Sequence, residues 1–488
     1  MNLSTEQIYA FDLFKKGKNV LITGPGGTGK TRLIEYLVGH SNKLGIKPQV
    51  CALTGCATIL LPKICNARTL HSWSGIRLCK GENKAIVDMA LKNKRIKACW
   101  KKTRVLIIDE VSMMSMKILE VLNKIGQLAR GNQMPFGGIQ LVCLGDFYQL
   151  PPVGNTGDPS ADKFCFESKL WSTIFPDKNV VVLKTIFRQS DPEYKEILSQ
   201  IRVGCLTQKS CKRLQDCVGR EFDEEKYNGC RPTKLFPTRA KTDHLNNTMF
   251  AKLEGHVYHF KQVRKTDCKT YIESDKPLSL EHLKKCDNLH ETVVEYELQQ
   301  LLNNSSNIDT LSLKKGAIVM CTVNLDMDNG ICNGSQGYIS DIIEGPQGKL
   351  PEVTFVNGVK KTLGLHYVQS EEYPSIAIGY IPLCLAWALT IHKIQGATLT
   401  MADIDVGNQI FECGQTYVAL SRVQSLEGLY LSAFNPDKIR ININVEKFYK
   451  SIPENDYKIE ETVFKQFELQ EEEEEECVKD PTIKTIRL

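Results

Sequence analysis

At 488 residues the chain exceeds one ordinary core, so two to four domains are expected. A hydrophobic share of 42% and a charged share of 24% describe a globular protein and exclude a disordered or fibrous one. The longest apolar run, IPLCLAWALTI, is about half of the ~20 residues that span a bilayer, so no membrane is expected as a partner. The net charge of +5 conceals a division: 57 basic against 45 acidic residues up to position 450, then 5 against 12 beyond it, a pattern that suggests a polyanionic partner.

The opening stretch, MNLSTEQIYAFDLF, lacks a leader pattern and reads as folded protein in a soluble, intracellular setting. The eighteen cysteines include no C-x-x-C pair and are read as reduced, mostly buried thiols. A short apolar strand, Val20 to Ile22, runs into GPGGTGKT and then a helical pattern. Gly24, Pro25, Gly26, Gly27, Thr28, Gly29, Lys30 and Thr31 thus form G-x-x-x-x-G-K-T in the strand–loop–helix context that cradles nucleotide phosphates. Lys30 would reach the β- and γ-phosphates of ATP, and Thr31 would ligate Mg²⁺. Residues 75–104 follow, with ten Lys or Arg against two acids, and KAIVDMALKNKRIKACW within them suggests a basic helix anchored by Trp100.

Val105 to Ile108 reads as a buried parallel strand ending in Asp109-Glu110. Asp109 would hold the metal and Glu110 would polarise the attacking water. Ile139 to Leu144 reads as a third parallel strand, ending in GDFYQLPPV. Gln149 there lies where ligands collect in open α/β sheets, and its neutral amide can both donate to a phosphate and accept from water. Pro151 and Pro152 hold it rigid, so it could report phosphate loss. Arg188 closes a β-rich run and Arg422 sits on a helix-like segment, GQTYVALSRV. They lie 158 and 392 residues beyond Lys30, so a second domain is expected to bring them in as arginine fingers. No second phosphate loop is present, which suggests two similar α/β domains sharing one ATP.

Between residues 248 and 365 short β-rich runs are cut by D-N-G, N-G-S, G-P-Q-G and N-G, the pattern of a small barrel, and no role is read for residues 250–305. His282, Cys286 and His290 fall at i, i+4 and i+8; a shared helix face could bind zinc, with chance spacing on an exposed helix as the alternative. The tail carries six consecutive glutamates, Glu471 to Glu476, and is expected to be disordered, or to dock on the basic groove and inhibit.

GPGGTGKT, ALTGCAT, TLHSWSGI, IIDEVSMM, PFGGIQLVCLGDFYQLPPV, IFRQ, AWALTIHKIQGATL and YVALSR resemble, in order, the motifs of Pif-type superfamily 1 DNA helicases, a group related to RecD-like helicases. The resemblance spans about residues 3 to 435. It implies two RecA-like P-loop domains with a small SH3-like β-barrel inserted in the second: residues 1–178 (with 75–104 as a small basic insert), 179–247 plus 366–450, an inserted region 248–365 with its barrel near 310–365, and the tail 451–488. It implies ATP-dependent, 5′-to-3′ unwinding in replication, repair, recombination or telomere-type maintenance, with ATP and Mg²⁺ as cofactors. Gln7 matches the glutamine that reads adenine. Thr54, Gly55, His71 and Ser72 match motifs lining the DNA channel, and His392, Lys393, Gln395 and Gly396 match the motif joining DNA contact to the ATP site. Arg188 and Arg422 match the two interdomain arginines.

Trp73, Phe147 and Tyr148 are candidates for stacking on bases, with core packing as the alternative for each. The implied partners are single-stranded DNA and duplex or forked DNA, with a single-strand binding protein or replication factors as candidate protein partners, in a nucleus (a host nucleus for a viral chain) rather than a bacterial cytoplasm. Two rival readings remain: a DNA-binding ATPase switch or scaffold that does not unwind, and a RecD-like subunit of a nuclease complex. Lys117 stands where family members often carry an acid, a departure expected to have little consequence. Regulation tied to the family's long N-terminal extensions is not carried over.

Overall fold

The runs VLIT, VLIID and QLVCLG are apolar at almost every position, as befits strands covered on both faces. In the computed structural model of the chain they join one six-stranded sheet, ordered Arg68–Thr69, Gln49–Ala52, Val105–Asp109, Gln140–Gly145, Val20–Thr23, Val180–Val182, with every pairing parallel. The structure describes residues 3–454 apart from 154–157, 223–230, 273–274, 305–309, 327–328, 346–347 and 371–372, so the glutamate run and nearly all of the acidic tail lie outside the described residues. Alternate residues of the strands feed two cores. Val20, Ile22, Ile107 and Val142 pack under the helices Thr5–Lys15 and Lys30–Lys43, the latter burying Leu33, Ile34, Leu37 and Val38. Leu21, Leu106, Ile108 and Cys143 pack under the helix Met116–Arg130 on the other face.

The basic segment departs from expectation. It forms two helices, Asn83–Lys92 and Lys94–Lys102, divided at Asn93, whose side chain accepts the N–H groups of Arg95 and Ile96 and so starts a new helix rather than continuing the old one. Trp100 anchors the second helix: it is fully buried, donates its indole N–H to Ser74 O at 3.2 Å, and packs 4.5 Å from Trp73. Lys117 is also more than a tolerated departure. Its side chain is 3% exposed, and its ammonium donates to Gly81 O and pairs with Asp158 Oδ2, each at 2.5 Å, tying two loops to the helix that carries it.

A second parallel sheet follows, ordered Ala388–Thr390, Thr233–Phe236, Ala402–Val406, Leu429–Phe434, with the helices Pro192–Arg202 and Gln415–Leu420 in its core. Between its strands lies the insert. A five-stranded antiparallel sheet, Lys360–Thr362, Gly348–Phe355, Gln336–Gly345, Ile318–Cys321 and Leu383–Leu385, has a core of its own around Val319, Ile339, Val353 and Phe355. Residues 250–305 supply strands to two smaller sheets and the helices Leu280–Cys286 and Glu291–Asn304. The second of these helices reaches the first lobe. It packs on Gly55–Leu60, Glu297 accepts from Arg95 at 2.9 Å, and Ser72 donates to Gln300 Oε1.

The proposed zinc face does not form. The helix ends at Cys286, Asn288 takes a positive φ of 52°, and His290 lies beyond the break, so the three residues do not share one helix. His282 and His290 instead pair with Tyr271 and Thr292, and no group of three metal-binding side chains is found among the described residues. The last described helix, Ile443–Ser451, returns from the second lobe to the first, burying Val445 in the first lobe's core and setting Phe448 against Phe147, Phe166 and Trp171.

Candidate functional site

Three neighbouring strands, Val105–Asp109, Gln140–Gly145 and Val20–Thr23, end on the same side of the first sheet, and each carries one piece of the site. The loop 24–29 runs into the N-terminus of Lys30–Lys43, where unpaired amides and the helix dipole favour an anion. Lys30 donates to Gly24 O at 2.8 Å and Pro25 O at 2.9 Å. Burial of its ammonium lowers its pKa, opposed by Asp146, Glu110 and Asp109. Burial, then Glu110 beside it, raises the Asp109 carboxyl, opposed by the Glu110 N–H and Lys30. Glu110 sits at the strand's end with φ 53°, so it turns sharply into the cleft.

Gln7 is buried against this loop. Its side-chain oxygen accepts the Ser4 N–H at 2.8 Å, closing a capping box that starts the first helix, and its amide nitrogen donates to Thr28 O at 3.1 Å. Thr28 braces the loop through its own hydroxyl, which donates to Pro25 O at 3.0 Å, and Thr31 is exposed at the start of the helix. Gly27, at φ 85°, is required because a Cβ there would lie 2.5 Å from Arg188 Cβ.

Arg188 reaches the loop by a route that differs from expectation. No second domain carries it in: it lies on the segment that leaves the first sheet after Val180–Val182, laid along the loop by Leu183 N–H to Thr23 O at 2.7 Å and Phe187 N–H to Gly27 O at 2.8 Å. Its guanidinium donates to Ser421 O and Gly396 O of the second lobe, each at 3.3 Å. Arg422 does come from the second lobe, just past the helix Gln415–Leu420. It is 1% exposed and held by Val418 O at 2.9 Å and Ser421 Oγ at 2.8 Å. A Cβ built on Gly26 would lie 3.4 Å from Arg422 Nη2 and 3.6 Å from Arg188 Nη1, so both guanidinium groups converge on the phosphate loop. Burial, and then the Arg422 charge, pushes the Arg188 pKa down to about 9. Two buried cations aimed at one glycine make a position that favours an anion.

Gln395 and Gly396 complete the cleft. Gln395 is 5% exposed and donates to Glu110 Oε2 at 3.0 Å, and a Cβ on Gly396 would lie 3.8 Å from Glu110 Oε1. Gln149 is 4% exposed in a turn closed by its N–H to Asp146 O at 2.9 Å. The second lobe seats on that turn. Gly414, at φ 73°, begins the helix that leads to Arg422, and a Cβ there would overlap Tyr148 O and lie 2.7 Å from Gln149 O.

The candidate DNA residues separate into two sets. Thr54 caps the helix that Gly55 begins, and with His71 it lines a cleft of about 240 Å³ between the first sheet and Lys117. Burial lowers the pKa of His71 and of His392. His392 stacks on Phe411 and Lys393 is exposed. Trp73 and Phe147 fall out of the set: they are 0% and 1% exposed, one against Trp100 and the other inside a cluster of Phe164, Phe166, Trp171 and Phe448, so neither offers a ring face to a base. Tyr148 is 8% exposed and stacks on Tyr449.

Sequence reasoning missed four groups. Phe187 is 53% exposed with its ring 3.7 Å from where a Gly29 Cβ would be, beside Gln7; an aromatic next to Arg188 was the available signal. Tyr417 contacts Gly26, and Arg202 and Tyr449 both bind Asp146. No local signal marks the last two.

The chain fits a nucleotide here: a glycine cradle at a helix N-terminus, an enclosed lysine, carboxylate oxygens and two arginines. Comparison with known proteins agrees. The family model "PIF1-like helicase" matches residues 2–208, and "DNA helicase Pif1, 2B domain" matches residues 298–342. The chain is 30% identical to the ATP-dependent DNA helicase RRM3 of Saccharomyces cerevisiae, over 92% of this chain and 68% of that protein. It superposes on the crystal structure of Pif1 helicase from Candida albicans with a TM-score of 0.69 and 31% identity, covering 93% of this chain and 100% of the other. It also matches Pif1 helicase from Bacteroides in complex with ADP-AlF3 and single-stranded DNA, with a TM-score of 0.59 and 27% identity over 92% and 98% of the two chains. The chain spans 61–68% of the length of the first curated relatives it matches.

Proposed function

Because this chain belongs to the PIF1-like helicase family, we propose that it is an ATP-dependent DNA helicase moving 5′-to-3′ along one strand and displacing the other. The observation that carries this reading is the convergence of Arg188 and Arg422 on Gly26 from opposite sides of an interlobe cleft. A cleft of that kind closes when a triphosphate supplies the charge the arginines lack, and opens when that charge leaves. Lys30 and the loop amides hold the phosphates, and Gln7 and Phe187 flank the base. Glu110 polarises the attacking water, oriented by Gln395. Thr31 and Asp109 offer oxygen donors of the kind Mg²⁺ takes; when bound, the ion neutralises charge on the β- and γ-phosphates.

The strand runs past Thr54, Gly55, His71 and Ser72 of the first lobe and His392 and Lys393 of the second, so a change of lobe spacing changes the grip. The insert's antiparallel sheet, with its separate core, supports an SH3-like subdomain that closes over the strand, and the neighbouring helix Glu291–Asn304 seats the inserted region on the first lobe through the Ser72–Gln300 and Arg95–Glu297 contacts. Single-stranded and forked DNA are the substrates this reading requires.

Strand displacement on 5′-tailed and 3′-tailed duplexes tests the reading. The wild type is expected to unwind the 5′-tailed substrate, and Lys30→Ala to fall below about a hundredth of that rate, since the phosphate-binding charge is gone. Equal unwinding by both proteins overturns the ATP-site assignment. DNA-stimulated ATPase without displacement on either tail favours a switch or scaffold.

The junction of Gln149 with the second lobe yields a second expectation. Gly414→Ala places a methyl against two backbone carbonyls, at a φ that costs an L-residue about 1–2 kcal/mol. The lobes can then meet only at a distance. DNA-stimulated kcat is expected to fall about tenfold or more, with ADP affinity, a property of the first lobe's loop, near wild type. Stopped-flow ATPase and fluorescent-ADP titration separate the two.

A further inference from the structure

We propose that Tyr417 is a further catalytic residue of this ATP site, a neutral hydrogen-bond donor to the transferring phosphate that stands beside the two arginines. The inference rests on the ATPase reading above and deepens it. Tyr417 lies on the helix Gln415–Leu420 of the second lobe, five residues before Arg422, and is 3% exposed. Its hydroxyl oxygen accepts the Gly26 N–H at 2.9 Å, a hydrogen bond from the first lobe's phosphate loop to the second lobe. The Cβ position of Gly26 lies 3.7 Å from that oxygen, against 3.4 Å and 3.6 Å for the two guanidinium nitrogens, so all three side chains end in one small volume.

A phenol has one proton to donate as well as lone pairs to accept with. Here one lone pair is taken by Gly26, and among the described residues no protein acceptor takes the proton. The adjacent guanidinium groups cannot take it, since they carry donors only. An anionic oxygen held over Gly26 is the acceptor that completes the set. Neutrality has a purpose at this point. A third cation would add to the repulsion that already lowers Arg188, whereas a hydroxyl adds a donor without adding charge. The phenol keeps its proton at neutral pH, because burial, and then the Asp146 charge, pushes its pKa up to about 12.

In the reaction, a water oxygen bonds to the γ-phosphorus while the bond to the bridging oxygen breaks, the electron pair leaves with ADP, and Glu110 receives the water's proton. Tyr417 transfers nothing. Its oxygen is held in advance by the Gly26 N–H, which leaves the proton to be donated to the oxygens on which charge is redistributed, the kind of donor whose removal from a prepared site lowers kcat by about 10²–10³.

Tyr417→Phe removes the hydroxyl and keeps the ring. Three quantities are compared with the wild type: DNA-stimulated kcat and KM for ATP, affinity for ADP, and affinity for ADP with aluminium fluoride, a mimic of the transferring phosphoryl group. The expected result is a loss of at least tenfold in both kcat and aluminium-fluoride-dependent affinity, with ADP affinity within twofold and the melting temperature unchanged. Aluminium-fluoride-dependent binding within twofold of wild type overturns the proposal. So does an equal loss of affinity for ADP with and without aluminium fluoride, which marks a misshapen loop. A wild type without ATPase activity sinks the functional reading and this proposal together; an active wild type matched by an equally active variant sinks this proposal alone.

Discussion

Arg422→Ala is expected to lower DNA-stimulated kcat by about 10³-fold or more, the range seen when an arginine that stabilises phosphoryl transfer is removed, while ADP affinity changes little. Arg422 spends Nε on Val418 O, Nη1 on Ala397 O and Nη2 on Ser421 Oγ, and is fully buried. Those bonds fix the direction of the guanidinium before any substrate arrives, so no reorganisation is needed at the moment of reaction. Lysine cannot replace it. A single ammonium on a flexible stem cannot satisfy three acceptors and still present a charge to Gly26. Arg422→Lys should therefore stay within tenfold of the alanine variant. Arg188→Ala is expected to be nearly as severe, and the double variant far less severe than the product of the two, because both side chains act on one group and each braces the other through Ser421. Quenched-flow measurement of a single turnover reads these values without interference from product release. A loss of less than tenfold for Arg422→Ala would show that closure does not place this arginine on the phosphate.

The parts of this site that lie within a few residues of a strand end were legible in the sequence. Gly24 to Thr31, Asp109-Glu110 and the turn at Gln149 each combine an apolar strand with an abrupt polar or glycine-rich stop, and that local pattern survives whatever the rest of the chain does. What was misread depends on what lies across a gap in sequence. An aromatic side chain carries the same signal whether it stacks on a base or fills a core, so Trp73 and Phe147 could not be sorted until Trp100 and Phe448 were placed beside them. The basic stretch has helical composition throughout, but one asparagine that caps better than it continues divides it in two. Arg188 looked as though it belonged to the second domain because its distance from Lys30 was counted along the chain, whereas a parallel strand at the sheet's edge had already returned it to the loop. Lys117 was expected to be a departure of little consequence, and only tertiary contact shows its ammonium enclosed between Gly81 and Asp158.

The second large effect is expected on stability. Arg202→Met should destabilise the protein by about 3–5 kcal/mol, the cost of removing one partner of a buried ion pair and leaving the other charged. Asp146 is fully buried and receives Arg202 Nε at 2.9 Å and Nη2 at 2.8 Å, the Tyr449 hydroxyl at 3.1 Å and the Tyr148 N–H at 3.2 Å. The Arg202 guanidinium also lies 4.6 Å from the ring centre of Tyr148 and 5.1 Å from that of Tyr449, two rings stacked within 9° of parallel. Despite burial, the Arg202 pKa is raised, chiefly by Asp146, so the guanidinium keeps its charge. Asp146 belongs to the first lobe and Arg202 to the core helix of the second, while Tyr449 comes from the helix that returns between them. The turn from Asp146 to Gln149 is thus gripped at one end by a buried ion pair and met at the other by Gly414, which leads to Arg422. A lobe that opens and closes on the phosphate must pivot about the end that does not let go. Urea denaturation of Arg202→Met measures the loss, and Asp146→Asn in the same chain should recover most of it by removing the stranded charge. An unfolding free energy within about 1 kcal/mol of wild type for the single variant would mean that Asp146 is held by Tyr449 and its own turn alone, and that the pivot lies elsewhere.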